Sequence, residues 1–188
     1  MTQAASTNPK QEIGGLVPEV SLPLLSGGTG TLQTFLQGKK GVVVVFWSET
    51  CSHCNRYDRY LNEFTAKHPE LGLVAIASRQ GETVDKIRTT VSDRKLRFPI
   101  LHDADGSIAK QWYTQQTPRV FLIDSSLKLL YRGAIDNYKF AGDSEYQEYL
   151  EPAIAAFLAG KPVPRPETAS FGCAIQSVYY LLPKPFGQ

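Results

Sequence analysis

Two uninterrupted apolar runs stand out along the chain, Gly41–Trp47 and Leu71–Ala77. Runs of this length that are rich in β-branched residues are typical of strands buried on both faces, usually in a parallel or mixed sheet. Between them, Asn55–Lys67 carries apolar residues at three- and four-residue spacing, which predicts a helix with one apolar face. The pattern up to Ala77 therefore predicts a strand–helix–strand unit.

The second half of the chain predicts a hairpin between helices. The predicted elements are a helix at Thr83–Ser92, an extended piece at Phe98–Leu101, a helix at Ser107–Trp112, strands at Arg119–Ile123 and Leu127–Tyr131, and a helix at Ser144–Leu158. Three polar residues separate the last two strands, which is a hairpin-length connection. This order of elements predicts an α/β fold in which a central mixed β-sheet is flanked by helices.

Both ends of the chain differ from its middle. Residues 1–12 are low in apolar content and predict a disordered lead-in, whereas 13–160 form the predicted domain. Leu16–Leu25 contains two prolines and suits a short N-terminal strand at a sheet edge. A proline-rich spacer opens residues 161–188, and the segment after it is too apolar for a free tail. We expect this C-terminal tail to fold back and pack on the domain.

Composition narrows the class of protein. The 188 residues suit one domain, and 42% hydrophobic with 20% charged residues excludes a disordered chain. Twenty basic residues against eighteen acidic ones leave too small a net charge to indicate nucleic-acid binding. The apolar run Val42–Trp47, like every other in the chain, is far shorter than the roughly 18 residues of a membrane-spanning helix. The expected partners are therefore neither nucleic acid nor a bilayer.

The first ten residues bear on the compartment. Met1–Lys10 is polar and lacks the apolar core of a secretory signal, which predicts a cytoplasmic protein. If a signal was removed before this sequence begins, the alternative is a periplasmic or other extracytoplasmic location.

The candidate chemistry lies in two of the three cysteines, Cys51 and Cys54, directly after the first apolar run. A cysteine in the first turn of a helix meets unpaired N–H groups, which favour its thiolate. A second cysteine three residues later lies on the same face, within reach of a disulfide. We expect Cys51 to reach solvent and attack, and Cys54 to resolve the mixed disulfide. His53, between them, is predicted to stabilise the thiolate.

Two other interpretations of these residues stay open. Cys51, His53 and Cys54 could form a non-catalytic metal-binding module, although the complementary pair of a zinc site is missing. The cysteines could also be packing residues, since free cysteine is often buried. Redox use fits the strand-to-helix position best, and it requires no bound cofactor or metal.

The second candidate functional feature, after the two cysteines, is Pro118, a proline that directly precedes a predicted strand. An X–Pro bond can be cis at little cost, and such a turn exposes the preceding backbone to an extended ligand. Val42–Cys54 together with Thr117-Pro118 resembles the thioredoxin superfamily. The resemblance implies that Cys51 is the nucleophile, that Cys54 is the resolving thiol, and that Thr117 and Pro118 form the loop on which the substrate docks.

Further motifs resemble the redoxin branch of that superfamily, which joins TlpA-type reductases and peroxiredoxin-like proteins. They are Leu101–Tyr113, Tyr131–Asn137 and a C-terminal G-C-A-I, Gly172–Ile175. Val45 and Tyr57 replace acidic residues found in thioredoxins and TlpA-type reductases. Pro118 occupies the position of the peroxiredoxin arginine, and Arg119, one step along a strand, points to the other face.

The sequence therefore predicts a thiol–disulfide oxidoreductase whose partners are dithiol or disulfide proteins or small thiols. A peroxiredoxin-like thiol peroxidase that uses Cys51 is the alternative. The remaining cysteine, Cys173, is open between two roles: a third redox thiol that resolves or guards Cys51, or a packing residue beneath the tail. The direction of electron flow and the oligomeric state are left open as well.

Overall fold

The computed structural model describes residues 12–176 of the chain. In chain order its elements are β1 (Ser21–Pro23), β2 (Thr29–Thr31), α1 (Leu32–Leu36), β3 (Gly41–Trp47), α2 (Ser52–Asn55), α3 (Asp58–Lys67), β4 (Leu71–Ala77), α4 (Val84–Asp93), β5 (Ile100–His102), α5 (Ser107–Gln111), β6 (Gln116–Thr117), β7 (Arg119–Asp124), β8 (Leu129–Gly133), α6 (Leu150–Leu158) and β9 (Cys173–Ala174). The central sheet has five strands in the order β5-β4-β3-β7-β8. Strands β3, β4 and β5 are parallel, whereas β7 and β8 are antiparallel, so the predicted mixed sheet is confirmed.

The two apolar runs form the centre of this sheet, with the bounds that the sequence predicts. Every residue of β3 and β4 is buried, because helices and loops cover both faces of the sheet. Side chains alternate between the faces: Val43, Val45 and Trp47 pack in one core cluster with both cysteines of the motif, while Val42 and Phe46 pack in the other. Both cysteines of the motif thus belong to one specific face of the sheet.

Two predicted helices have different bounds in the structure. The helix predicted at Asn55–Lys67 begins three residues earlier and is interrupted, with Tyr57 as the N-cap of α3. The helix predicted from Ser144 begins only at Leu150. The reason is long-range pairing: Asp136 bridges Glu148, so the Gln147 carbonyl and the Tyr149 N–H are hydrogen-bonded across that bridge instead of within a helical turn.

The ends of the described chain pack onto this framework. Strands β1 and β2 form a small antiparallel pair near the N-terminus. At the other end, Glu167 bridges Arg132 at the edge of β8, and β9 pairs with β6. The tail therefore folds back as far as it is described. Residues 1–11 of the predicted lead-in and the apolar residues 178–182 lie outside the described residues, so the boundaries at 12/13 and 160/161 stay predictions.

Within residues 12–176, no helix has the length and apolar character that crossing a bilayer demands.

Candidate active site

The site is built where β3 ends and α2 begins. After Trp47 the chain turns through Ser48, and the N–H of Cys51 donates to the Ser48 carbonyl at 3.3 Å. Cys51 is the N-cap of α2, and the N–H of Cys54 donates to the Cys51 carbonyl at 2.9 Å. This single turn brings the two sulfur atoms together on the core face that also holds Val120.

Cys51 is fully buried, with 0% of its surface exposed, so the expectation that it reaches solvent is wrong. Cys173 hydrogen-bonds to the Cys51 sulfur through both its thiol and its backbone. Its strand is paired with β6, at the position of Thr117. The C-terminal segment, which local pattern could not place, therefore covers the thiol.

Of the three cysteines, Cys51 has a lowered pKa and the other two have raised pKa values. A hydrogen bond from the Cys54 thiol lowers the pKa of Cys51 to about 4, against the opposing effect of burial, and Cys173 and Thr117 add further hydrogen bonds. Burial, and then the hydrogen bond to Cys51, raise the pKa of Cys54 far above its ordinary value. The same two causes raise the pKa of Cys173. At neutral pH Cys51 is therefore a thiolate held by two protonated thiols.

The loop before β7 completes the site. The Thr117–Pro118 peptide bond is cis, and both residues are buried. The Thr117 carbonyl oxygen lies 3.2 Å from Cys51 Sγ. Of the residues that the sequence singles out, the fold thus brings Cys51, Cys54, Thr117, Pro118 and Cys173 together.

His53 is placed differently from these residues. Its side chain is exposed on α2, and the hydrogen bonds that lower the pKa of Cys51 come from the thiols and from Thr117. The backbone of His53 instead hydrogen-bonds to Cys173. Its role in tuning the thiolate stays a prediction.

Sequence reasoning missed Glu82, which supports the loop before Cys51. Glu82 is 7% exposed, and its Oε1 accepts hydrogen bonds from the Ser48 hydroxyl and, at 2.8 Å, from the Glu49 N–H. Burial raises the pKa of this carboxyl. The Ser48 backbone in turn hydrogen-bonds to Cys54. The position of Glu82 in the sequence could have indicated this role, because the loop after β4 meets the loop after β3 at the same edge of a parallel sheet.

Arg119 lies away from the thiols, as the alternation along a strand predicts. Val120 packs in the cluster that contains Cys51, whereas Arg119 has its guanidinium carbon 5.8 Å from the ring centroid of Phe121, a residue of the opposite cluster. Burial lowers the pKa of Arg119, and Nε finds no hydrogen-bond partner among the described residues. The guanidinium that a peroxiredoxin presses against its thiolate is thus not supplied by Arg119.

Among residues 12–176, no group of three or more histidine, cysteine, aspartate and glutamate side chains has an arrangement that could hold a metal ion. Cys51, Cys54 and Cys173 are all free thiols.

Comparison with known proteins adds sequence relatives to this geometry. Residues 13–132 match the AhpC/TSA family. The chain is 34% identical over 125 residues to the thiol-disulfide oxidoreductase ResA of Bacillus cereus, a match that covers 66% of this chain and 71% of that protein.

Solved structures resemble the chain as well, one of them over a larger part of its length. A hypothetical protein from Sinorhizobium meliloti superposes with a TM-score of 0.77 at 28% identity, covering 87% of this chain and 93% of that one. A secreted disulfide oxidoreductase of Mycobacterium tuberculosis, described as homologous to Escherichia coli DsbE, gives a TM-score of 0.51 at 26% identity, covering 58% of this chain and 79% of that one.

Proposed function

The chain belongs to the AhpC/TSA family, and from that premise we propose that Cys51 and Cys54 are the attacking and resolving thiols of a thiol–disulfide oxidoreductase with a thioredoxin-like fold. The oxidoreductase class rests on the relatives, and the roles of the two residues rest on one observation: Cys51 begins α2, one turn from Cys54, and lies beside the cis Thr117–Pro118 bond. Cys51 has a pKa lowered to about 4 by its hydrogen bond with Cys54, whose own pKa is raised. A thiolate beside a protonated thiol is the pair that disulfide exchange requires.

The exchange follows from this pair. The Cys51 thiolate attacks one sulfur of a substrate disulfide, and the other substrate sulfur leaves as a thiolate. Cys54 then loses its proton and attacks Cys51 Sγ, which forms the internal disulfide and releases the second substrate thiol. Another dithiol returns the pair to the reduced state, or a substrate dithiol is oxidised when the cycle runs in reverse.

The substrate chain is proposed to dock at Thr117 and Pro118. Thr117 lies at the edge of β6, and its carbonyl oxygen is 3.2 Å from Cys51 Sγ. An extended polypeptide that pairs with this edge places its own cysteine beside the thiolate. We therefore expect disulfide or dithiol proteins as partners, with small thiols as lesser substrates.

A relative, rather than the chain itself, supports a proposal about the compartment. One similar structure is a secreted disulfide oxidoreductase. Stable disulfide exchange partners are concentrated outside the cytoplasm. We therefore infer an extracytoplasmic site of action. Fractionation of the producing organism, with an antibody against this protein as the readout, tests the inference. Recovery of the protein in the cytoplasm would contradict it.

The experiment for the reaction is a glutathione redox titration, with mass-tagged thiols and peptide mapping as the readout. We expect a disulfide that involves Cys51, and loss of disulfide exchange in Cys51→Ser. A midpoint near about −270 mV identifies a reductase, and one near about −120 mV an oxidant. Exchange that survives Cys51→Ser would overturn the proposal. Rapid peroxide turnover with a dithiol reductant, abolished in the same variant, would move the peroxidase alternative ahead of it.

A further inference from the structure

The C-terminal segment Gly172–Ile175 places Cys173 against Cys51. Its strand β9 runs antiparallel to β6, with Cys173 opposite Thr117. The Ile175 N–H donates to the Gln115 carbonyl at 2.9 Å. On the other side, the Gln80 N–H donates to the Ile175 carbonyl, also at 2.9 Å. The segment thus connects the two loops that flank the thiolate.

The fit of this segment is selective at two positions. A Cβ at Gly172 would overlap the carbonyl oxygen of Thr117 and lie 3.2 Å from Pro118 Cδ, so only glycine can stand before the cysteine. Ile175 is 3% exposed, whereas Phe171, just outside the segment, is 80% exposed. The groove therefore holds an extended chain with glycine before the cysteine and an apolar side chain two residues after it.

We propose that Gly172–Ile175 is an internal substrate: it occupies the groove where an external polypeptide pairs with β6, and Cys173 exchanges disulfides with Cys51. The inference rests on the function proposed above for Cys51. Two consequences follow from it. An external polypeptide must displace the segment before it reaches Cys51, and the oxidised protein has a second form with a Cys51–Cys173 disulfide.

The exchange needs no additional oxidant. When Cys51 carries a mixed disulfide, Cys173 loses its proton and attacks Cys51 Sγ. The sulfur–sulfur bond to the substrate breaks, and the substrate leaves as a thiolate that takes up a proton. From the Cys51–Cys54 disulfide, the same attack releases Cys54 as the leaving thiolate, so one disulfide is converted into another with no net change in electrons.

Contacts with Cys51 distinguish this role from simple packing. The Cys173 thiol hydrogen-bonds directly to the Cys51 sulfur, and its backbone adds a second hydrogen bond. Cys54 is 1% exposed, whereas Cys173 is only partly buried. Cys173 is thus the thiol that can leave the site together with its strand.

The first test uses Cys54→Ser, in which Cys51 and Cys173 are the remaining cysteines. One equivalent of dithiobis(nitrobenzoate) is added, released thionitrobenzoate is followed by absorbance, and the product is weighed by intact mass. We expect two equivalents of thionitrobenzoate to be released, none to be retained, and a monomeric Cys51–Cys173 disulfide in the peptide map. Release of one equivalent with the other retained on Cys51 would overturn the inference.

Two controls separate this result from the function itself. In Cys54→Ser combined with Cys173→Ala, one equivalent should be retained on Cys51. In Cys51→Ser, the rapid phase of release should be lost. A rapid phase that survives Cys51→Ser contradicts the proposed function, whereas normal Cys51 chemistry with an inert Cys173 contradicts only the internal substrate.

The second test measures displacement. Gly172→Val forces the segment away from Thr117, and Ala174→Val, an exposed position of the same strand, is the matched control. Iodoacetamide is applied at about pH 6, where Cys51 is ionised and Cys173 is not. Each rate constant is divided by the thiolate fraction read from ultraviolet absorbance, and thermal unfolding confirms that both variants are folded.

We expect Cys51 in Gly172→Val to react about tenfold faster or more, because opening the segment in the unaltered protein breaks several backbone hydrogen bonds. Ala174→Val should stay within about twofold of the unaltered protein, as surface substitutions usually do. Equal rates in all three proteins would show that the segment does not restrict access, and would overturn this part of the inference.

Discussion

Cys54 and Cys173 contact the same sulfur atom, that of Cys51, from two very different parts of the molecule. Cys54 follows Cys51 by three residues, is 1% exposed and belongs to the core cluster of the central sheet. Cys173 is partly buried and lies on a two-residue strand that pairs only with β6 among the described strands. One neighbour is fixed by the local turn and the core, and the other by a short edge pairing.

The difference matters because the two sides differ in local stability. Opening the Cys54 side requires disruption of the core, whereas the Cys173 side is held by a few backbone hydrogen bonds and by Ile175. Segments with few buried contacts open at a small fraction of the global unfolding free energy. Under the function proposed above, such a site would have a fixed resolving thiol on one side and a removable one on the other.

The largest contrast is expected in turnover of a disulfide-bonded protein substrate. Cys54→Ser should reduce turnover by about a hundredfold, since the permanent resolving thiol is lost, whereas Cys173→Ser should change it by less than about threefold. The double variant should stop after one turnover with a trapped mixed disulfide on Cys51. Steady-state rates and gels of the trapped species are the measurement. Equal losses in the two single variants would contradict the asymmetry between the two sides.

A second contrast concerns the pKa of Cys51, about 4 in the unaltered protein. Cys54→Ala removes the largest hydrogen bond to the thiolate and should raise this pKa by more than about one unit, and Cys173→Ala should raise it by less. His53→Gln, at an exposed position, should have the smallest effect. Thiolate absorbance against pH gives all three values. A larger shift in His53→Gln than in Cys173→Ala would instead restore the imidazole as the main influence.

The same pKa predicts how stability depends on pH. Because folding lowers the pKa of Cys51 from 9.0 to about 4, the thiolate stabilises the folded, reduced protein fully above pH 9. That stabilisation is lost as pH falls through the folded value. The reduced protein should therefore gain stability relative to the disulfide form between about pH 4 and 9, as read from thermal unfolding of both forms. A constant difference across this range would contradict the lowered pKa.

The smallest effect is expected at Glu82, beneath the Cys54 side. Burial raises its pKa, so its ionisation costs stability as pH rises above 4.5. Glu82→Gln should therefore be more stable than the unaltered protein by about 1 kcal/mol at neutral pH, with the gain vanishing in acid. The exposed substitution Glu63→Gln is the control. Chemical unfolding across pH measures both, and a loss of stability in Glu82→Gln at neutral pH would mean that the carboxylate form is the one the loop needs.

The local pattern of apolar residues correctly predicted the strands that are buried on both faces. The runs at β3 and β4 were confirmed to the residue, since a short continuous run rich in β-branched residues is typical of a strand covered on both faces. The start of α6 was wrong by six residues, because the bridge between Asp136 and Glu148 overrides helical propensity before Leu150. Propensity is decided locally, whereas that bridge depends on a partner that the pattern does not reveal.

For the site, the sequence by itself determined the pair Cys51 and Cys54, because their spacing at the end of a strand brings them to one face whatever else folds around them. Only the tertiary structure decided that Cys51 is covered, that Cys173 is its third neighbour and that Glu82 supports its loop. The physical reason is sequence separation: contacts within one helical turn follow from local geometry, whereas those made across the sheet depend on how every intervening element packs.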